Sequence, residues 1–280
     1  MPEADFHSMK ISVYGSTGFI GKVFCKMYPA DVVKISRDDR KPRSNEILYL
    51  ISTTSNYNVL ESTTIDVDTN LRVFTEVLSE CKRNDITINY ISSGFVYGND
   101  IINAAEVDYC DPRGFYSITK RAAEQLLMSF CETFDVKYRI LRLANVYGTE
   151  DIESSGKKNA LGYLIDLLKQ NKDVNLYDGG DVLRDYLHVE DVCAAIKLVM
   201  DKGETNSIYN IASGRPLKFY DIIMIAKDYL GSDSAIKAIE TPEFYKQVQA
   251  KNFSLNVKKL KALGFKENMP IEKGIKLLCH

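Results

Sequence analysis

Lys10–Tyr14 is a short β-type run that breaks at once into Gly15-Ser-Thr-Gly18-Phe-Ile-Gly21, and from Phe19 to Met27 the apolar residues recur at helical spacing. A strand that turns through three glycines into a helix constrains the fold more than any other stretch of the chain. The turn needs backbone without side chains, and it aims the first amide groups of a helix at whatever lies beyond the strand end. Glycines at this spacing occur by chance in many turns. Placed between a strand and a helix at the first β-α turn, they predict a dinucleotide pyrophosphate site.

The rest of the first half repeats the same alternation. Strands are expected near 10–14, 31–36, 46–52, 86–92 and 136–143, with helices over 68–83 and 114–134. Such alternation predicts an α/β fold with a doubly wound parallel sheet. The link at 37–45, polar and rich in arginine, is too short for the usual crossover between parallel neighbours. The strands flanking it are therefore expected not to pair with each other, and the usual third strand to be absent. Beyond Gly148 the pattern loosens into a smaller α+β lobe. Helices are expected at 159–170, 190–200, 219–230 and 254–263, and strands at 174–177, 184–189 and 207–211. Setting aside Met1–Ser8, the reading gives a cofactor domain over 9–148 and a substrate domain over 149–280, with parts near 184–211 packing back on the first.

Composition narrows the partners. The 36 Lys and Arg nearly balance the 38 Asp and Glu, leaving a formal charge of −2, so no basic face for nucleic acid is expected. The six cysteines, at 25, 81, 110, 131, 193 and 279, form no Cys-x-x-Cys pair and sit mostly in apolar patterns. They read as buried thiols of a reducing compartment, and the three histidines lack the spacing of metal ligands. No metal site is expected. With neither a long apolar run nor a signal-peptide pattern, the chain is expected to be cytoplasmic, with no membrane partner.

Three segments carry chemistry. At the end of the second strand, Ser36-Arg37 stands where a carboxylate would serve an adenosine ribose and an arginine would pair with a 2′-phosphate, which favours NADP over NAD. Asp38 and Asp39 follow and keep NAD open. Ser92-Ser93-Gly-Phe-Val-Tyr97-Gly98 ends a strand, and Tyr116-Ser-Ile-Thr-Lys120 lies on the next helix. Tyrosine and lysine at i and i+4 share a helix face, so an ammonium there would lower the phenol pKa and make a general acid/base for a carbinol. Ser93 would add a donor to the reacting oxygen. Any single Tyr-x-x-x-Lys is weak, and the order of glycine turn, strand-end serine and Tyr/Lys helix is what gives it weight.

On these residues the chain resembles the extended short-chain dehydrogenase/reductases, in particular the NAD(P)-dependent sugar-nucleotide epimerase/dehydratase family. Further matches are Asn70 in the central helix, Arg142-Leu-Ala-Asn145-Val-Tyr-Gly148, Asn159-Ala-Leu161, Arg184-Asp-Tyr-Leu-His-Val189 with Asp191, and Tyr209-Asn-Ile-Ala-Ser-Gly214. The resemblance implies a Rossmann-like fold. It implies that Gly15, Thr17, Gly18, Phe19, Ile20, Gly21, Arg37, Tyr116 and Lys120 bind the cofactor, and that Ser93, Tyr116 and Lys120 are catalytic. It also implies that Ser93, Asn145, Asn159 and Arg184 hold a nucleotide-diphosphate sugar. For Arg184 the structural alternative is an internal salt bridge with Asp185. His188 is read as structural. The family's common dimer would pair the helices near 68–83 and 114–133, and leftover apolar residues Ala122, Leu126, Leu127, Met128 and Phe130 agree with that.

The departures matter as much. The 4,6-dehydratases carry an Asp-Glu pair after the catalytic hydroxyl residue, where this chain has Gly94-Phe95, so dehydration is disfavoured. The bifunctional epimerase-reductases use a cysteine where Phe95 stands, and the late arginine before the last helix is missing from 241–251. The leading reading is an oxidoreductase at C4 of a nucleotide-linked sugar, reducing a 4-keto sugar with NADPH. The alternatives are a 4-epimerase with retained NAD and a non-enzymatic NAD(P) sensor on the same fold.

Overall fold

The computed structural model describes residues 10–151, 160–248 and 251–280. Six strands form one parallel sheet: β1 (Ile11–Tyr14), β2 (Val32–Lys34), β3 (Glu46–Tyr49), β4 (Thr87–Ser93), β5 (Lys137–Leu143) and β6 (Ser207–Ile211). Their spatial order is β6-β5-β4-β3-β1-β2. The sheet is the parallel, doubly wound one expected, and β2 and β3 lie on opposite sides of β1. The chain reverses direction across the sheet at β1, and ligand crevices of open α/β sheets form at such a point, beyond the carboxyl ends of the strands.

The short link between β2 and β3 has no helix. It covers β1 with backbone instead: the Tyr14 hydroxyl donates to the Arg40 carbonyl at 2.8 Å, and the Arg43 amide donates to the Ser12 hydroxyl at 2.8 Å. Ser12 and Tyr14 face this side together because side chains alternate along a strand.

The same alternation splits the apolar residues into two layers. Ile47, Tyr49, Ile88 and Tyr90 face helix α2, residues 65–79, and helix α3, Gly114–Phe134. Val13, Leu48 and Leu141 face the opposite layer, which holds α1 (Phe19–Met27) and a later helix, Val189–Lys202. Helix α2 begins one turn earlier than expected and winds as a π turn over Asp68–Arg72. Residues beyond 148 complete the sheet through β6, while the helices Ala160–Lys169, Phe219–Leu230 and Ile271–Cys279 build a separate core around Ile165, Ile223 and Ile275.

The helix expected over 254–263 is a correction. Phe253–Leu255 is a strand paired in parallel with Ile101–Ala104, and only Lys258–Ala262 is helical. Phe253 and Leu255 both pack onto Gly94, and helical spacing would carry one of them away. Among the described residues no helix is long and apolar enough to cross a membrane.

Candidate active site

Gly15 leaves β1 with φ +79°, the left-handed region that glycine occupies without strain. A Cβ on Gly21 would stand 2.2 Å from the Gly15 carbonyl oxygen, so this position closes the turn only as glycine. Gly18 caps α1 with no side chain bonded to the first helical amides. Its own side is open: the one atom near a Cβ there is the Gly15 oxygen at 3.4 Å. Thr17 and Gly18 are exposed, Phe19 and Ile20 half-buried. Free amides at the positive end of a helix, with room above them, fit a pyrophosphate. The residues present therefore fit a dinucleotide.

Just past β2, Arg37 is exposed. Asp39 is engaged elsewhere, accepting from the Lys41 amide at 2.9 Å and from Arg43 at 2.6 Å, bonds that hold its carboxyl below the usual range. Asp38 is exposed beside it.

Ser93 ends β4, where its hydroxyl accepts from the Phe95 amide at 3.2 Å, and Tyr116 lies in the first turn of α3, near enough for the Ser93 hydroxyl to act on its phenol. Burial pushes the phenol above its ordinary value; the neighbouring Ser93 hydroxyl pulls the other way and the Asp66 carboxylate adds to the rise. Lys120 is where the sequence reading needs correcting. It lies one turn beyond Tyr116, but its Nζ donates to the Ile91 carbonyl at 2.5 Å and sits 4.4 Å from the centroid of the Tyr90 ring. The ammonium thus faces the sheet, the phenol is raised and not lowered, and burial pulls the lysine itself down to about 7.

One turn further, Glu124 is fully buried and holds the helix to the sheet. It accepts from the Ser92 hydroxyl at 2.5 Å, from Arg142 at 2.8 and 3.0 Å and from Arg121 at 2.7 Å. Burial opposes its charge, yet the Arg142 bonds keep its carboxyl below the usual range. This network fixes the register of α3 against the residue next to Ser93. Glu124 was not singled out in the sequence, and its place one turn after Tyr116 and Lys120 on the same face is the signal that could have found it. Asn70, on the π turn, bonds the Thr53 amide and hydroxyl and the Thr119 hydroxyl, tying the loop after β3 to α3. π turns recur at functional positions.

The Gly94-Phe95 departure has a packing cause. A Cβ on Gly94 would stand 2.6 Å from Phe253, and Phe95 packs on the Phe253 ring at 4.8 Å, so this corner is apolar and closed to a carboxylate pair.

In the second lobe, Asn145 donates to the Asp185 carbonyl at 3.1 Å, and Arg184 donates to the carbonyls of Leu183 and Lys251 at 2.9 and 2.6 Å. Asp185 is buried and accepts from the amides of Ser213, Gly214 and Leu255. The Ser213 hydroxyl donates to it as well, at 2.7 Å, and among the described residues these groups hold the carboxylate, so an Arg184–Asp185 pair does not describe it. Asn159 lies outside the described residues. His188 caps the helix Val189–Lys202, its Nδ1 accepting from the Glu190 amide at 3.3 Å.

Comparison with known proteins adds the following. Residues 44–212 match the model of the NAD dependent epimerase/dehydratase family. A trifunctional UDP-glucose 4,6-dehydratase/UDP-4-keto-6-deoxy-D-glucose 3,5-epimerase/UDP-4-keto-L-rhamnose-reductase of Arabidopsis thaliana is 30% identical over 193 residues, 67% of this chain and 28% of that protein. An ADP-L-glycero-D-manno-heptose-6-epimerase of Alkalilimnicola ehrlichii is 27% identical over 191 residues, 66% of this chain and 59% of that one. The chain thus matches less than two thirds of the length of either relative. Among solved structures, a UDP-glucose 4-epimerase of Thermotoga maritima with UDP-glucose superposes with TM-score 0.86 at 22% identity, covering 97% of both chains. RMD of Pseudomonas aeruginosa, complexed with NADPH, superposes with TM-score 0.82 at 22% identity and the same coverage. At these identities the structural likeness speaks for the fold.

Proposed function

The chain belongs to the NAD dependent epimerase/dehydratase family, and from that premise we propose that it is an NAD(P)-dependent oxidoreductase acting at C4 of a nucleotide-linked sugar, reducing a 4-keto sugar. The observation that carries this reading is the placement of Ser93 at the carboxyl end of β4 and of Tyr116 in the first turn of α3, on the same edge of the sheet as the open glycine turn. The cofactor supplies the hydride. Tyr116 gives the proton that the reduced oxygen needs, Ser93 steadies that oxygen with a second hydrogen bond, and Glu124 keeps both in register. A phenol held protonated by burial suits an acid that donates to a ketone.

Lys120 is proposed to leave the Ile91 carbonyl for the nicotinamide ribose when the cleft is filled. Arg37, exposed while Asp39 is engaged by Arg43, supports NADP as the cofactor. Residues 9–148 are proposed as the cofactor half and 149–280 as the substrate half, with Asn145, Asn159 and Arg184 toward the diphosphate. The competing reading, a 4-epimerase with retained NAD, uses the same three residues and is supported by the UDP-glucose 4-epimerase among the similar structures.

Steady-state rates with a panel of UDP- and dTDP-linked 4-keto sugars test the proposal. Tyr116→Phe keeps the ring and loses the proton, so turnover falls by roughly 10²–10⁴ while cofactor still binds. Wild-type turnover in Tyr116→Phe contradicts it.

A further inference from the structure

Asp66 lies in the first turn of α2 and is 1% exposed. Its Oδ1 accepts from the Thr53 hydroxyl at 2.5 Å and from the Asn58 side-chain amide at 3.0 Å. Its Oδ2 is equally buried and has no hydrogen-bond partner among the described residues. A buried acceptor left unbonded costs about 1–3 kcal/mol, more when it is charged, so folded proteins seldom retain one without use. The carboxyl is also anchored with unusual care. Thr53, which holds Oδ1, receives a hydrogen bond from Asn70, and Asn70 bonds Thr119, the neighbour of Lys120 on α3. The group is therefore fixed with respect to the catalytic helix, and its charge is felt at the Tyr116 phenol. A second buried acceptor without a partner among the described residues, the Oδ1 of Asn56, faces Gly114 two residues before Tyr116.

We infer that Asp66 is a hydroxyl-binding residue of the catalytic cleft, its Oδ2 accepting a hydrogen bond from a sugar or ribose hydroxyl held against Tyr116. This rests on the nucleotide-sugar reading above. The hydroxyl has two possible sources, the sugar of the substrate and the nicotinamide ribose of the cofactor, and they separate by titration. Calorimetry compares the wild type with Asp66→Asn, which keeps the shape and replaces the accepting oxygen by a donor. The ligands are NADPH alone, UDP alone, and UDP-glucose or dTDP-glucose with cofactor present.

The expected result is an unchanged melting temperature, unchanged UDP affinity and a roughly ten- to hundredfold weaker grip on the sugar nucleotide, the worth of a hydrogen bond to a charged group. A loss of that size for NADPH instead assigns the hydroxyl to the ribose. If the Asn variant does not fold, Asp66→Ser, smaller and still polar, is titrated in its place. Equal affinities for every ligand in wild type and variant overturn the inference while leaving the reaction standing. A wild-type protein that binds NADPH but no sugar nucleotide overturns the functional reading first.

Discussion

A lysine withdrawn from water and set against one carbonyl and one aromatic ring gives up its proton more readily than one in solvent, and the Lys120 ammonium is held near 7 by burial. Between about pH 7 and its ordinary value of 10.5 the unfolded chain binds a proton that the folded chain does not. In that window the stability contribution of Lys120 rises with pH, and below it the cost of the buried charge is present in full. Lys120→Met should therefore melt about 2–4 °C or more above the wild type at pH 7 without cofactor, with the gain shrinking toward pH 10, as read by circular dichroism. No gain at pH 7 would mean that the Ile91 carbonyl and Tyr90 ring fully compensate the charge. The same variant should bind NADPH more weakly. Arg37 makes the second prediction at this scale. If it meets a 2′-phosphate, Arg37→Ala weakens NADPH by about 1.5–3 kcal/mol and leaves NADH nearly unchanged, and equal loss for both cofactors returns Arg37 to the surface.

Elements differ in how plainly they were written. The glycine turn, α1 and α3 were legible because their signals are local: three glycines at a strand end, and apolar residues three and four apart. The pairing of Ile101–Ala104 with Phe253–Leu255 was not, since it joins short runs some 150 positions apart and its reason is the absence of a side chain at Gly94. Asp66 was hidden too, because an aspartate in the first turn of a helix reads as an ordinary partner of the helix dipole. Likewise Tyr116 and Lys120 were legible as a pair, yet the direction of the ammonium depended on a carbonyl of β4. The outer face of α2 and α3 carries a further prediction. Leu78, Lys82, Leu126, Phe130 and Phe134 line a shallow groove there, and Leu126 is 42% exposed on it. We propose that a second copy of the chain covers this face. Light scattering at micromolar concentration should give a dimer for the wild type and a monomer for Leu126→Glu; a monomeric wild type removes the proposal.

For the whole molecule, the sheet places the glycine turn after β1 and Ser93 at the end of β4 on one edge, where the ligand crevices of open α/β sheets form. The central claim, the one proposed above, is that hydride passes at that edge between nicotinamide and the sugar's C4. It is tested most directly by incubating the protein with NADPH deuterated at the transferred position and a nucleotide-linked 4-keto-6-deoxyhexose, then locating the label by mass spectrometry and NMR. The account predicts one deuterium at C4 of the sugar for each NADP⁺ released, and none with Tyr116→Phe. NADPH left intact, with no deuterium in the sugar of any nucleotide-linked ketose offered, would contradict it.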